Sequence, residues 1–321
     1  MNNNDYFSSI DQKVYSLSNL SFWEIIDNFK GLYPIDLLNS LIRLKDNKKI
    51  DMQSFMRIIS QNDDIKKEYG NHITHSPIPH LLDGDWRFST EGITFLLEKI
   101  SSYIPTNGKK ISILLIGTPS LFAPLTELYN DALITIWDIN AQLHELNNYS
   151  INLLDAIPYN KLSPKFDFII IDPPWYPEYY KRCFQIASKV SSVGALIIGA
   201  FPPLFTRPSI TDEREELQAF ASNMGFGSIH YAPTCVSYLT PPFEKNAFRA
   251  NKIFSTPNLW RYGDLFTCEF KAEFRHSSEI FFHLPSYNWD EISIGPIRFK
   301  FKSSKIPFVS DDELSITSIY T

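Results

Sequence analysis

The sequence predicts an α/β fold, with a Rossmann-like, doubly wound and mostly parallel sheet of seven strands at its centre. Two observations predict this class. From residue 83 to residue 275, short apolar segments alternate with segments of helical periodicity, a pattern typical of parallel sheets with crossover helices. Acids and small residues follow several of the apolar segments, where a doubly wound sheet binds its ligands. A helical module is predicted before this domain, over residues 1–82, and a short β-rich extension after it, over residues 276–321.

The N-terminal module is predicted to contain three short helices. Ser21 is positioned as the N-cap of the first helix, and Glu24 completes a capping box. The second helix has Pro34 in its first turn, and the third covers residues 52–59. Four basic residues favour a helix-turn-helix or winged-helix module: Arg43, Lys45, Lys48 and Lys49. A helical cap that packs on the main domain is the alternative interpretation.

The central domain is predicted to alternate strictly between helices and strands. Strands are predicted at 111–116, 133–137, 166–171 and 195–198, with helices over 90–103, 121–130, 141–149, 178–192 and 211–225. Two later segments, 228–231 and 265–270, are predicted to close the sheet as an antiparallel pair. In the C-terminal extension, strands are predicted at 280–283 and 297–301.

Charge and cysteine content limit the classes of function. The chain of 321 residues has a formal net charge of −6 and a pI near 5.7, so no global basic field attracts it to long nucleic acid. Its three cysteines lack CxxC spacing, which argues against a zinc site or a disulfide framework. The first residues lack the basic and apolar regions of a signal peptide, and no apolar stretch approaches about 18 residues. We therefore expect a cytoplasmic protein with no transmembrane helix and no membrane partner.

The chemically most informative segment is Asp172-Pro173-Pro174-Trp175, directly after the apolar run 166–171. Proline cannot continue a sheet, so the backbone must turn stiffly at the carboxyl end of this strand. Both prolines offer a carbonyl but no N–H, which leaves an acceptor-rich rim beside the Asp172 carboxylate and the Trp175 ring. Such a pocket suits a planar or cationic amino group. A buried strand followed by a proline-rich turn is the structural alternative.

Three further positions are predicted at the same edge of the sheet. The first strand ends in the small-residue turn Gly117-Thr118-Pro119-Ser120, where the backbone can approach a ligand closely. Asp138 ends the second strand about 20 residues later, at the place of an acid that holds ribose hydroxyls. Asp155 is a candidate acceptor for an adenine amino group. Each position has a structural alternative. Gly117 is a single glycine and not a GxGxxG motif, Asp138 also suits a helix N-cap, and Asp155 also suits a solvated turn.

Other polar and aromatic residues are weaker candidates. Tyr176, Tyr179 and Tyr180 follow the proline motif and are candidates for the wall of a substrate cleft, or simply core and surface aromatics. Asn246 and Arg249 are candidates for a substrate loop. A linker explains His72, His75 and His80 better than metal binding does, so no metal site is expected.

On these residues the chain resembles the class I S-adenosylmethionine-dependent methyltransferases that carry an Asp-Pro-Pro-aromatic motif and methylate amino nitrogens. Within that class it is most similar to the probable N6-adenine methyltransferase family, which includes the elongation factor 1A lysine methyltransferases. The resemblance runs from about Asp85 to Phe270. It is carried by these segments: Asp85-Trp86-Arg87-Phe88-Ser89, the Gly117 turn, Asp138, 166–175, and Asn246-Ala247-Phe248-Arg249. The first turn departs from the wider class, because it lacks that class's acid and repeated glycines.

The resemblance implies a cofactor and a set of site residues. S-adenosylmethionine would lie across the strand ends, with Asp138 on its ribose and the Gly117 turn beside its methionine part. Trp86 and Phe88, in the first segment of the resemblance, are also assigned to the cofactor site, which is expected to include the candidate Asp155. Asp172 and the three residues after it would form the catalytic motif, with Trp175, Tyr176, Asn246 and Arg249 contacting the substrate.

Four functional hypotheses follow from these residues and the resemblance. The leading one is an N-methyltransferase that acts on adenine N6 in nucleic acid, since Trp175 suits a flat base. The second is lysine methylation of a protein substrate, which the acidic pI and the family favour. Aminopropyl transfer to a polyamine is a third, and a degenerate methyltransferase fold that only binds a ligand is a fourth. The sequence predicts no oligomeric state.

Overall fold

The computed structural model describes residues 3–60, 86–104, 110–138, 148–150, 153, 165–272, 289–294 and 297–302. Within these residues, eight strands form one mixed sheet in the order β1-β7-β8-β6-β5-β2-β3-β4. The strands are β1 Arg87–Phe88, β2 Ser112–Ile116, β3 Leu133–Asp138, β4 Asn148–Ser150, β5 Phe166–Ile171, β6 Ser191–Phe201, β7 His230–Leu239 and β8 Leu259–Glu269. Strands β2 to β6 pair in parallel, and β8, β7 and β1 extend the sheet in antiparallel pairs. This arrangement confirms the predicted fold class, although the sheet has eight strands where seven were expected, and neither β1 nor β4 was among the predicted strands.

Nine helices are described beside the sheet. They are α1 Asn3–Ser16, α2 Phe22–Phe29, α3 Pro34–Asp46, α4 Met52–Ser60, α5 Thr90–Tyr103, α6 Phe122–Leu128, α7 Pro177–Val190, α8 Ile210–Asn223 and α9 Pro242–Ala250. A 3₁₀ helix, Pro119–Leu121, leads directly into α6. Trp289–Ile294 (β9) and Ile297–Lys302 (β10) form a separate antiparallel pair, which confirms the strand predicted at 297–301.

The central strands are buried because helices cover both faces of the sheet. In β2, Ile113 and Leu115 join one core with residues of α5 and α6, while Leu114 and Ile116 join the other with residues of α7 and α8. Successive side chains of a strand point to opposite faces, so a strand covered on both faces reads as a continuous apolar run. The Ile-rich run of β5 is shared between the same two cores, and it therefore ends at the edge where the site lies.

The N-terminal helices pack on the sheet domain through a shared core. Ser21 and Glu24 form the predicted capping box of α2, and Pro34 stands in the first turn of α3 as predicted. Trp23 of α2 is buried with its ring 6.1 Å from that of Phe248 in α9. Trp260 of β8 belongs to the same core as the N-terminal helices. This packing favours the helical cap over a separate winged-helix module.

Several sequence-based predictions differ from the structure. The helix predicted over 141–149 is wrong at its end, since Asn148 and Tyr149 belong to the edge strand β4. Helices α1 and α9 and strands β1 and β9 were not predicted. The strand predicted at 280–283 and both predicted domain boundaries lie outside the described residues, and the division into three domains stays a prediction. No helix among the described residues is long and apolar enough to cross a membrane.

Candidate active site

The carboxyl ends of β2 and β5 bring the first turn and the proline motif into contact. The Asp172 N–H donates to the Ile116 carbonyl at 3.1 Å, so the strand pairing continues one residue into the motif. Gly117 has φ +66°, and a Cβ at this position would stand 2.9 Å from the Asp172 carbonyl oxygen. Only glycine accepts both the left-handed backbone and the close approach without strain. The isolated glycine of the turn is therefore required by its contact with the motif.

The side chain of Asp172 is held from the antiparallel half of the sheet. The Tyr238 hydroxyl, on β7, donates to Asp172 Oδ1 at 2.8 Å. Tyr238 is buried, and burial followed by the charge of Asp172 raises its pKa well above the ordinary value of 10.0. The phenol therefore stays protonated and remains a donor to the carboxylate. This hydrogen bond fixes one oxygen of the motif's acid.

Trp175 lies in an aromatic and cationic stack. The Arg261 guanidinium carbon is 3.8 Å from the centre of the Trp175 ring and 4.3 Å from that of Trp86. Tyr238 meets Trp175 edge-on, with ring centroids 5.6 Å apart. A Cβ on Gly263 of β8 would lie 3.5 Å from the Trp175 ring, so this strand packs directly beside the indole. Arg261 therefore covers one face of the ring that was predicted to stack on the substrate.

A buried acid interacts electrostatically with Arg261. Glu244, on α9, is buried, hydrogen-bonds with the Tyr33 side chain and is attracted by the Arg261 charge. Burial outweighs both interactions and raises the Glu244 pKa above its ordinary value. Arg261 thus stands in the field of two carboxyl groups, Glu244 and Asp172.

The residues of the first turn fit a polar cofactor. The Thr118 hydroxyl is buried, with 1% of the residue exposed, and has no hydrogen-bond partner among the described residues. A buried hydroxyl without a partner is costly, and a ligand group at this turn would satisfy it. Asp138 ends β3, next to β2 in the sheet, as the prediction for a ribose-binding acid requires. Pro119 and Ser120 begin the 3₁₀ helix after the turn and are partly exposed.

Some predicted site residues take other positions. Phe88 is buried behind Tyr238, with the two rings 5.1 Å apart, so it supports the site from the second layer. Asn246 and Arg249 are exposed on helix α9, and the substrate loop predicted for them is a helix. Tyr176 is 61% exposed, and its N–H donates to the Pro174 carbonyl at 2.7 Å. Asp155 lies outside the described residues.

Three residues of the site were missed by sequence reasoning: Tyr238, Glu244 and Arg261. Arg261 could have been identified from the sequence, because a charged residue between Trp260 and Tyr262 in an apolar strand needs a specific partner. No sequence feature identifies Tyr238 or Glu244, since only the pairing of β7 with β8 and the position of α9 bring them to the motif. Among the described residues, no group of three or more His, Cys, Asp or Glu side chains could hold a metal ion.

The segment that contains this edge of the sheet matches a known family. Residues 80–219 match the model of the family described as probable N6-adenine methyltransferase. This segment is an S-adenosylmethionine-dependent methyltransferase domain. It includes the Gly117 turn, Asp138 and the Asp172 motif, and its cofactor is S-adenosylmethionine. The family match ends before Tyr238 and Arg261, so the residues that hold Asp172 and Trp175 come from outside it.

A solved structure with a TM-score above 0.5 agrees with the fold of the methyltransferase domain. The branched-chain polyamine synthase C9 mutein from Thermus thermophilus, in complex with N4-aminopropylspermidine and 5'-methylthioadenosine, has a TM-score of 0.53 and 8% identity, covering 85% of this chain and 90% of its own. Another structure of branched-chain polyamine synthase from that organism has a TM-score of 0.48 and 10% identity, covering 60% of each chain.

More distant similarity adds no further argument. A SAM dependent methyltransferase from Archaeoglobus fulgidus has a TM-score of 0.36 and 13% identity, covering 55% of this chain and 94% of its own. A similarity this low carries no argument about the fold or the acceptor. No curated protein matches the chain.

Proposed function

We propose that this methyltransferase transfers a methyl group to an amino nitrogen, and that its acceptor is adenine N6 in nucleic acid. The position of Asp172 carries the proposal: it follows β5, contacts the Gly117 turn, and its carboxylate accepts from Tyr238 at 2.8 Å. The family match over residues 80–219 supports adenine as the acceptor. With a net charge of −6, the chain suits a short contact with single-stranded or locally opened nucleic acid better than a long charged interface.

The Gly117 turn, the Thr118 hydroxyl and Asp138 would hold the cofactor at the carboxyl ends of β2 and β3. Bound S-adenosylmethionine supplies an electrophilic methyl group beside the proline motif. The protein's own contribution is then largely to bring the acceptor nitrogen next to that group in the correct orientation. The contact between Gly117 and Asp172 sets the separation of the two halves of the site.

An exocyclic amine conjugated to a ring is a weak nucleophile. Hydrogen bonds from its N–H groups to the Asp172 carboxylate and the Pro173 carbonyl would favour a more tetrahedral nitrogen and stabilise the positive charge that develops on it. Trp175 would stack on the base with the face that Arg261 does not cover. The proton leaves after transfer, and a base inside a duplex would first have to flip out of the stack.

Transfer of labelled methyl groups tests the proposal. The full chain is incubated with methyl-labelled S-adenosylmethionine and, in parallel, with DNA, RNA or cell-extract protein, while polyamines are tested separately with the decarboxylated cofactor. Label is expected at N6 of adenine in nucleic acid. The Asp172→Ala variant is expected to lose about 100-fold or more of this activity, and Tyr238→Phe about tenfold.

The matched control is Asp167→Ala, at the amino end of the same strand. Asp167 accepts from the Ser112 N–H and hydroxyl, at 3.0 and 2.9 Å. These bonds lie at the opposite end of β5 from the site. Its loss should lower stability but leave the activity of the folded protein unchanged. Label found only in protein would mean that the acceptor is a lysine side chain and not adenine. Full activity in Asp172→Ala would refute the role of the carboxylate.

A further inference from the structure

Arg261 is placed where it affects which acceptor can bind. Its guanidinium lies between the rings of Trp86 and Trp175, at 4.3 and 3.8 Å from their centres. Its backbone pairs with Tyr238, the residue whose hydroxyl holds Asp172. The cation is therefore tied to both parts of the proline motif, its acid and its aromatic ring.

The position of this cation is strongly constrained. The guanidinium carbon lies over two indole rings, a position in which arginine gains cation–π attraction from both. The charges of Glu244 and Asp172 both attract it. Arginine stays charged at every physiological pH, so the site carries a permanent positive charge against Trp175.

We propose that Arg261 selects neutral, planar amino acceptors and excludes protonated amines such as a lysine side chain or a polyamine. The inference rests on the proposed function, because it takes Asp172 and Trp175 as the acceptor site. A protonated amine normally gains from a carboxylate and from an indole face. Here the guanidinium already occupies one indole face and offsets the Asp172 charge, and it repels a second cation in a partly buried site. A neutral ring can still stack on the other face of Trp175 and donate its amino hydrogens to Asp172.

Two nucleosides of nearly the same shape test this inference by binding alone. Adenosine is neutral, and 1-methyladenosine carries a positive charge at neutral pH. Calorimetric titration of the full chain with each nucleoside, in the presence of S-adenosylhomocysteine, gives the ratio of the two affinities. The wild type is expected to bind adenosine at least about tenfold more tightly.

Substitution of Arg261 separates charge from shape. In Arg261→Gln, the ratio of the adenosine affinity to the 1-methyladenosine affinity should fall at least about threefold, because the repelling charge is lost. The ratio need not reach one, since the difference in shape between the two nucleosides remains. In Arg261→Lys, which keeps the charge but not the planar stack, both affinities should fall and the preference for adenosine should persist. If Arg261→Gln does not fold, as judged by its thermal transition, the wild type and Arg261→Lys decide the question.

Each contrary result has a distinct meaning. If Arg261→Gln loses the same factor of affinity for both nucleosides, Arg261 is a purely structural residue and the inference is overturned. A wild type that binds 1-methyladenosine as tightly as adenosine, or that binds neither nucleoside, would overturn it as well. Loss of the preference in Arg261→Lys would overturn it too. Methyl transfer to lysine would contradict both the proposed acceptor and the exclusion of protonated amines. Methyl transfer to a neutral amino group other than adenine N6, together with an Arg261-dependent preference for adenosine, would contradict only the proposed acceptor.

Discussion

At the scale of single residues, the site depends on a few close contacts at the ends of two strands. Gly117 has a left-handed backbone and no room for a side chain, since a Cβ would meet the Asp172 carbonyl oxygen at 2.9 Å. Asp172 in turn accepts from a buried tyrosine on a distant strand. Because the turn and the motif are in van der Waals contact, a change in one must displace the other.

Gly117→Ala is expected to reduce both stability and methyl transfer. The left-handed backbone alone costs an alanine about 1–2 kcal/mol, and the contact with Asp172 adds at least about 1 kcal/mol. Gly194→Ala is the matched control, because Gly194 also has a positive φ, of +86°, but nothing within 4 Å of a built Cβ. Chemical denaturation and activity should give a greater loss of stability for Gly117→Ala and a loss of activity for that variant alone. Equal stability losses would contradict the crowding at Gly117.

Glu244 should make stability depend on pH with a defined sign. Its pKa is raised above 4.5 in the folded protein, chiefly by burial, so the folded state holds this proton at pH values where the unfolded chain has released it. Stability therefore falls as the pH rises from about 4.5 through the raised pKa. The Tm of wild type relative to Glu244→Gln should decrease as the pH rises above about 4.5 and level off once the pH exceeds the raised pKa. A constant Tm difference would mean that Glu244 is not perturbed.

At the scale of elements, the antiparallel half of the sheet supports the parallel half that carries the motif. Strand β7 supplies Tyr238 and β8 supplies Arg261, and these two residues pair directly. Helix α5 is fastened to β7 by its N-cap: the Ser89 hydroxyl accepts from the Gly92 N–H at 3.0 Å and lies 2.5 Å from the Ser237 hydroxyl. The cap thus joins α5 to the residue beside Tyr238.

The two helix N-caps should differ in their cost of removal. Ser21→Ala removes the hydroxyl that donates to Glu24 Oε2 at 2.7 Å at the exposed cap of α2, and it should lower the free energy of unfolding by about 1 kcal/mol. Ser89→Ala, at a fully buried cap, should cost about 2–3 kcal/mol, since it leaves the Gly92 N–H and the Ser237 hydroxyl without this partner. Denaturant titration measures both. The same small loss in each variant would show that the buried Ser89–Ser237 contact contributes nothing.

At the scale of the whole molecule, the N-terminal helices and the sheet domain share one apolar core. Trp23, Phe29 and Leu32 lie in it together with Phe248 and Trp260 of the sheet domain. The Tyr6 hydroxyl also donates to the Phe205 carbonyl at 2.8 Å. Trp260 contacts Trp86, which stacks on Arg261, so the N-terminal helices lie behind the wall of the candidate site.

Trp23→Ala should therefore destabilise the methyltransferase domain as well as the helices. Loss of this buried ring is expected to cost about 3–5 kcal/mol and to lower a single unfolding transition that every probe detects. Phe254→Ala is the control, because Phe254 is 68% exposed and its removal should change stability by less than about 0.5 kcal/mol. Two transitions, of which only one shifts in Trp23→Ala, would make the helices an independent module.

The amino-acid sequence by itself determined the parallel half of the fold, except its edge strand β4, and the motif at its edge. The apolar runs of β2, β3 and β5, the small turn at Gly117 and the prolines after Asp172 are local signals, because burial on both faces and fixed backbone angles leave a direct pattern in the residues. The capping box at Ser21 was predictable for the same reason.

Only the tertiary structure decided what holds the motif in place. Tyr238 is 66 positions from Asp172 along the chain. No local sequence pattern near Arg261 or Trp175 indicates the strand pairing that brings these two residues together. Helix α9 was taken for a loop, so Glu244 went unnoticed beside the exposed Asn246 and Arg249. Side-chain contacts between distant segments depend on how strands pair and how helices pack, and residue patterns within a short window do not contain that information.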